Sequence, residues 1–352
     1  MDDRLDPKQR IAGEAPIYAA AALLCALCLA LAASRGIFFG IDGVVSNAGI
    51  FLASVAVMLI GDLSIQLYRY RPPSPLTFAL ARYGSRTNRT RMLAVLPLAI
   101  VCVVLMPFFS AFKAMIPLFN NYSWDATFIA LDRALFFGRD AWEVFQPLLG
   151  FPAVTALLAF FYHLWMLLLY PGVIFMAWYG IDRDIRRRFF LSYVLAWSFV
   201  GGLVATIFAS VGPCFLAPIM SDNSFAAQMA YLEAANSQFP IMTLDVQHML
   251  LDRYHEGANG LGSGITAMPS MHIAIAFLYW LTMRHVSKAA GRFFLGFMVI
   301  IWIGSVHLAY HYFVDGLVSI ICVAALWKAS ARILRRWDQR LTRPQLTEAL
   351  PA

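Results

Sequence analysis

The stretch Ala267-Met-Pro-Ser-Met-His272-Ile-Ala-Ile-Ala-Phe-Leu-Tyr-Trp-Leu-Thr-Met283 opens on polar groups and then stays apolar to its end. A basic turn with Arg284, Lys288 and Arg292 follows. A second apolar run then returns to His307-Leu-Ala-Tyr-His-Tyr-Phe-Val-Asp315. One helix out and one back across a bilayer brings both polar ends to the same face. Ionisable groups at such depth are costly, so they point to function. They stand at the ends of the runs rather than in the middle, as expected of chemistry at a membrane boundary.

The rest of the chain reads in the same way. The sequence is 61% hydrophobic and 13% charged over 352 residues. Soluble domains are roughly 45–50% apolar and about 25% charged, so a soluble core is excluded. Eight runs approach the ~20 residues that cross the hydrocarbon: 15–34, 45–67, 92–112, 152–179, 189–210, 267–284, 293–311 and 313–331. The expected fold is an all-α polytopic membrane protein with about eight transmembrane helices. Pro171 predicts a kink in the fourth. Met1 to Arg10 carries three acids and three bases, a poor secretory leader, so the first run is read as a spanning helix.

The net charge of +7 belongs to loops. Arg69, Arg71, Arg82, Arg86, Arg89 and Arg91 fall in one; Arg183, Arg186, Arg187 and Arg188 in another; Arg332, Arg335, Arg336 and Arg340 in the tail. Such alternation predicts that both termini and every basic segment are cytosolic. His272, His311 and Asp315 then face the extracytoplasmic or lumenal side. No basic-aromatic module suggests nucleic acid as a partner. Cys25, Cys28, Cys102 and Cys322 lie inside apolar runs, which argues against a disulfide framework. The organisation expected is a cytosolic segment, two-helix hairpin and basic loop over 1–91, a catalytic core over 92–331, and a basic tail over 332–352.

Proline suits the first position of a helix. A helix starting at Pro269 leaves the N–H groups of Ser270, Met271 and His272 without internal partners, and free donors at a helix start bind phosphate. The Ser270 hydroxyl adds a donor. His311 and Asp315 are four residues apart and share a face if the helix is continuous. A carboxylate on one imidazole nitrogen makes the other a better nucleophile or base. A phosphate-binding helix start with one histidine, and a His–Asp pair returning to the same face, suit phosphoryl transfer.

Pro-Ser-Met-His and His-x-x-x-Asp resemble the second and third signatures of the type 2 phosphatidic acid phosphatase (PAP2) and haloperoxidase superfamily. The wording Ala-Met-Pro-Ser-Met-His and His-Tyr-Phe-Val-Asp is most similar to its Aur1-like branch, the inositol phosphorylceramide synthase relatives. The resemblance implies a six-helix core formed by the third to eighth spans. It implies that His311 is the phosphorylated nucleophile, Asp315 its orienting group and His272 the general acid. It also implies a phosphate-bearing membrane lipid as substrate and no cofactor. Transfer to an alcohol gives a phosphotransferase, and transfer to water a lipid phosphate phosphatase. A transporter or flippase is the rival reading. The usual Ser-Arg before the nucleophile is Gly304-Ser305 here, and the first signature is unmatched, so another cation must hold the phosphate. Lys113, which ends an apolar run, is the first candidate; Arg253 and His255 in the long outer loop are the next.

His307, His311, Asp315 and His272 could alternatively hold a metal, though no metal is expected. His307 reads as a supporting hydrogen-bond group, and His163 as an internally packed residue. Gly260-Leu-Gly262-Ser-Gly264 lacks a preceding strand and reads as a hinge. Asp125, Asp132 and Trp142 suggest an interfacial amphipathic helix, with Asp125 either capping structure or meeting a headgroup.

Overall fold

The computed structural model describes residues 7–37, 41–178, 181–257, 262 and 264–347. Gly260, Leu261 and Ser263 of the expected hinge lie outside the described residues. Among the described residues there is no strand, as the long apolar runs predict.

Helix α1 (Pro7–Ser34) and α2 (Asp42–Tyr70) form the N-terminal hairpin. A short α3 (Pro75–Tyr83) lies along the basic loop. It leads into α4 (Arg86–Met115), which runs out to Lys113. Two short helices follow, α5 (Asp125–Leu135) and α6 (Ala141–Leu149). The fourth apolar run is α7 (Pro152–Leu164) and α8 (Val173–Trp178), joined through a π-helical turn at Leu168–Gly172. Pro171 sits in that turn and lacks the N–H a regular helix needs, so the regular helix is interrupted at the residue where a break was expected. Helix α9 (Arg183–Leu195) also passes through a π-helical stretch, Ala196–Val204, into α10 (Ala205–Ile207).

The long segment between α10 and α14 is helical over α11 (Pro213–Met220), α12 (Ala226–Asn236) and α13 (Met242–Glu256). The last three helices are α14 (Met271–Met283), α15 (Lys288–His307) and α16 (Phe313–Thr347). Among the described residues seven helices are long and apolar enough to cross a membrane. The protein is an integral multi-pass membrane protein.

The sixth run differs from the others. It is helical over only 13 residues, about 20 Å at 1.5 Å per residue. Residues 264–270, just before it, are non-helical and largely buried backbone. Irregular backbone at membrane depth is tolerated only inside protein or along a cavity, and α14 meets that condition. Ile273, Ala274, Ile275, Ala276 and Leu278 are fully buried, and the helix packs on α9, α15 and α16. The core is therefore built around the shortest span.

The end of the bundle remote from His272 is clasped by charge. Tyr18 Oη donates to Glu14 Oε2 at 2.7 Å, and Glu14 Oε1 stands 3.5 Å from Arg186. Arg187 makes a bidentate pair with Asp338 at 2.8 and 3.0 Å, tying α9 to α16. The fork of a guanidinium suits this planar pairing.

Candidate active site

His272, in the first turn of α14, and His311, on non-helical backbone, reach one cavity. His311 stands in the turn between α15 and α16. Helix α15 ends at His307, so His311 and Asp315 are not on a continuous helix as the spacing suggested. The turn is tight. Ala309 takes a positive φ of 61°, and the N–H groups of Tyr310 and His311 both donate to Ser305 O, at 3.0 and 3.3 Å. His311 Nδ1 still meets Asp315 Oδ2 at 3.0 Å. Tyr312 N donates to the same oxygen at 3.2 Å. With Nδ1 held, Nε2 is the nitrogen left for chemistry.

Two buried carboxylates fix that turn. Asp125 and Asp132 are each only 4% exposed, so neither faces solvent from an interfacial helix. Asp132 accepts from Phe313 N at 2.7 Å and Val314 N at 3.0 Å. It satisfies the otherwise unpaired donors at the start of α16. Asp125 accepts from Val211 N and Gly212 N, both at 3.0 Å, and from Tyr312 Oη at 2.8 Å. Cys214 N donates to Ala309 O and Gln247 Nε2 to Leu308 O, each at 2.9 Å. Gly212 lies where the loops meet, at φ +86°. A Cβ there would stand 2.8 Å from both Tyr310 O and Ala267 Cβ, so only glycine fits.

The other histidine differs in setting. The Met268–Pro269 bond is cis, and α14 begins at Met271, with Ser270 as its N-cap accepting from Ile273 N at 3.5 Å. The helix therefore starts two residues after Pro269. Ser270 is fully buried, and its hydroxyl caps the helix rather than lining the cavity. Ser319 Oγ donates to Ser270 O at 2.9 Å, and Met268 N donates to Ser210 Oγ at 3.2 Å. The His272 ring is sandwiched. Tyr162 stacks on it with centroids 4.2 Å apart, and Trp165 lies 4.0 Å away on its other side. Tyr162 stacks in turn on Tyr310 at 5.1 Å. The His272 and His311 centroids are 6.4 Å apart.

The cavity between them has a volume of about 520 Å³, within the usual range for ligand pockets. Lys113 lines it with both histidines and has no carboxylate partner among the described residues. Its backbone is crossed closely by Gly264. At φ +88°, a Cβ on that residue would stand 2.8 Å from Lys113 C. Tyr162 Oη and Trp165 Nε1 are buried beside the cavity without hydrogen-bond partners among the described residues. Burial and the Lys113 ammonium push His311 below the ordinary histidine range, against the Ala267 carbonyl, which pulls it up.

Other expected residues fall elsewhere. Arg253 and His255 sit at the end of α13; His255 is exposed, and neither lines the cavity. His307 turns away from the cavity, with Nε2 at 2.9 Å from Thr155 Oγ1, so it supports the turn from behind. Among the described residues no cluster of three or more His, Cys, Asp or Glu side chains is disposed to hold a metal. Sequence reasoning missed Tyr162 and Trp165. Their signal is only an aromatic stretch, Phe160-Phe-Tyr-His-Leu-Trp165, inside an apolar helix.

A profile of the PAP2 superfamily matches residues 126–329, more than half of the chain. The chain belongs to the PAP2 superfamily. Members are phosphatases or phosphotransferases, so this PAP2 protein is an enzyme of that kind, of the type acting on lipid phosphates in a bilayer. No curated protein and no solved structure matches it. The matched segment contains His272, His311 and Asp315 but not Lys113, which comes from α4. At Gly304-Ser305, where an arginine was expected from the resemblance, Ser305 Oγ donates to Trp302 O at 2.8 Å.

Proposed function

We propose that this PAP2 enzyme is a lipid phosphotransferase that passes a phospho-headgroup between lipids through a covalent intermediate on His311. One observation carries the reading. The His311–Asp315 pair, the His272 ring and the Lys113 ammonium converge on a single cavity. The 6.4 Å between ring centroids leaves room for one phosphoryl group, since reacting atoms approach to about 3–3.5 Å.

In the first step His311 Nε2 forms a bond to phosphorus, and the bond from phosphorus to the leaving oxygen breaks. His272, charged once the anionic phosphate lies beside it, supplies the proton to that oxygen and becomes neutral. Asp315 stabilises the positive charge that develops on His311. Lys113 neutralises phosphate charge in place of the absent arginine, and the Met271 and His272 N–H groups at the start of α14 add donors. In the second step His272 takes the proton of an acceptor hydroxyl, whose oxygen attacks phosphorus and releases His311. The cavity wall beyond the histidines is largely apolar, with Phe109, Met106 and Leu169. Such a wall limits water and favours a lipid alcohol as acceptor, in keeping with the inositol phosphorylceramide synthase resemblance. The basic loops support an extracytoplasmic or lumenal placement of this chemistry. We read residues 92–331 as the catalytic core, 1–91 as an added N-terminal unit and 332–352 as a basic tail.

The test uses purified protein with EDTA present. Phosphatidylinositol with ceramide is expected to yield phospho-headgroup transfer without free phosphate. Free phosphate from phosphatidic acid or a polyprenyl pyrophosphate would make the enzyme a phosphatase. Activity abolished by EDTA would move the histidines to metal ligation.

The acid limb of the pH profile is a second check. A nucleophilic histidine works in its neutral form, which exists above its pKa. Because burial and Lys113 lower that pKa, activity is retained as pH falls through the ordinary histidine value of about 6.5. The acid limb of kcat/KM is expected below that value. A limb at or above it would mean that His311 is protonated at rest.

A further inference from the structure

The cavity at the histidines does not end at them. It continues between α4 and the π-helical turn of the fourth span, and its far wall includes Ile50 on α2. Ile50 and Met166 line the cavity, yet they are 40% and 44% exposed. Residues that are both lining and exposed mark a mouth. Both lie within spanning segments, so this mouth opens toward the bilayer and not only toward water.

The way α2 is attached gives an independent reason to attend to it. Among its described residues only Asn47 and Phe51 are buried, and they bracket Ile50. Asn47 Nδ2 donates to Val103 O at 2.7 Å, and Tyr170 Oη donates to Asn47 Oδ1 at 3.1 Å. Phe51 meets the Tyr170 ring edge-on with centroids 5.2 Å apart. The remaining surface of α2 is largely exposed, including Ile60 at 65%. Helix α2 thus buries its polar and aromatic anchors beside the cavity mouth, while its other tie, Asp62 to Arg82 and Tyr83, holds α3 at the far end. Helix α2 also lies outside the segment matched to the superfamily.

We propose that the mouth between α2 and the Leu168–Gly172 turn seats a fatty-acyl chain of the phospholipid donor, and that α2 sets the chain length accepted. The inference rests on the phospholipid reading above. Its ligand chemistry is apolar, and because the chain comes from hydrocarbon that is already apolar, length is discriminated by packing contacts and by the steric limit of the mouth.

The experiment compares Ile50→Trp with Ile60→Trp, a substitution on the same helix away from the cavity. The ratio of kcat/KM for a long-chain phospholipid to that for its short-chain analogue is measured in each. The ratio is expected to fall by about tenfold or more in Ile50→Trp, mainly through KM for the long chain, and to stay at the wild-type value in Ile60→Trp. Equal ratios in the two variants would overturn the proposal. A second readout needs no turnover. A phospholipid with a photoreactive diazirine at its chain end is irradiated with the wild type, and the modified peptides are mapped. Adducts on the α2 peptide containing Ile50, lost in Ile50→Trp, support the seat; adducts confined to other helices refute it. Should no phospholipid be turned over, the functional reading falls, while the cross-linking pattern still decides where the chain sits.

Discussion

His311→Ala is expected to lower kcat/KM by at least about a thousandfold, the scale of losing a nucleophile, while the protein folds normally. The side chain reaches a cavity, and its turn is held by other groups. Ser305 O receives two backbone N–H donors, Asp132 caps α16, and Ala309 O and Leu308 O are bonded from α11 and α13. None of these bonds needs the imidazole. Asp315, buried and hydrogen-bonded to Tyr312 N, keeps a partner after the change. The loss is therefore chemical, and an unchanged melting temperature alongside lost turnover is the signature. Retention of most activity would remove His311 from the bond-forming role.

Asp125→Ala is expected to act by the opposite route. The carboxylate is the acceptor for Val211 N, Gly212 N and Tyr312 Oη. Its loss leaves three donors unsatisfied in the protein interior. Each such orphan costs about 1–3 kcal/mol, and partial relaxation brings the total to about 3–5 kcal/mol. A large fall in thermal stability in detergent is expected. Activity falls with it, because Gly212 packs directly against Tyr310 O, the residue before His311. Asp125→Asn, which keeps one acceptor oxygen, is expected to lose less. Wild-type stability in Asp125→Ala would show that water replaces the carboxylate and that the loops do not depend on it.

The two aspartates show where sequence reading reached its limit. The apolar runs mark the spans because hydrophobic length is a local property. The His272 and His311 motifs stand out because polar groups at membrane depth are rare. Most partners of Asp125 and Asp132 are backbone N–H groups, as far as 87 and 182 residues away, and a backbone donor carries no residue type to recognise. An acid in a short amphipathic segment thus reads as interfacial when it is a buried tie between loops. The start of α14 was misplaced for a different reason. Pro269 satisfies the sequence preference for a first helical position, but the chain uses Ser270 as the cap, and the helix begins at Met271. The His311–Asp315 spacing led to the right contact by the wrong element, since a turn rather than a continuous helix brings them to 3.0 Å. The aromatic clamp on His272 was invisible because Tyr162 and Trp165 look like any apolar helix until their rings are seen against the imidazole.

The central claim is a phosphorus bond to His311. The most direct measurement stops the wild-type enzyme in alkali during turnover of phosphatidylinositol and maps the modified peptide by mass spectrometry. The expected result is an adduct on His311 with the mass of the phospho-headgroup, absent from His311→Ala. Turnover that proceeds with no adduct on His311, or with the adduct on another residue, would contradict the account.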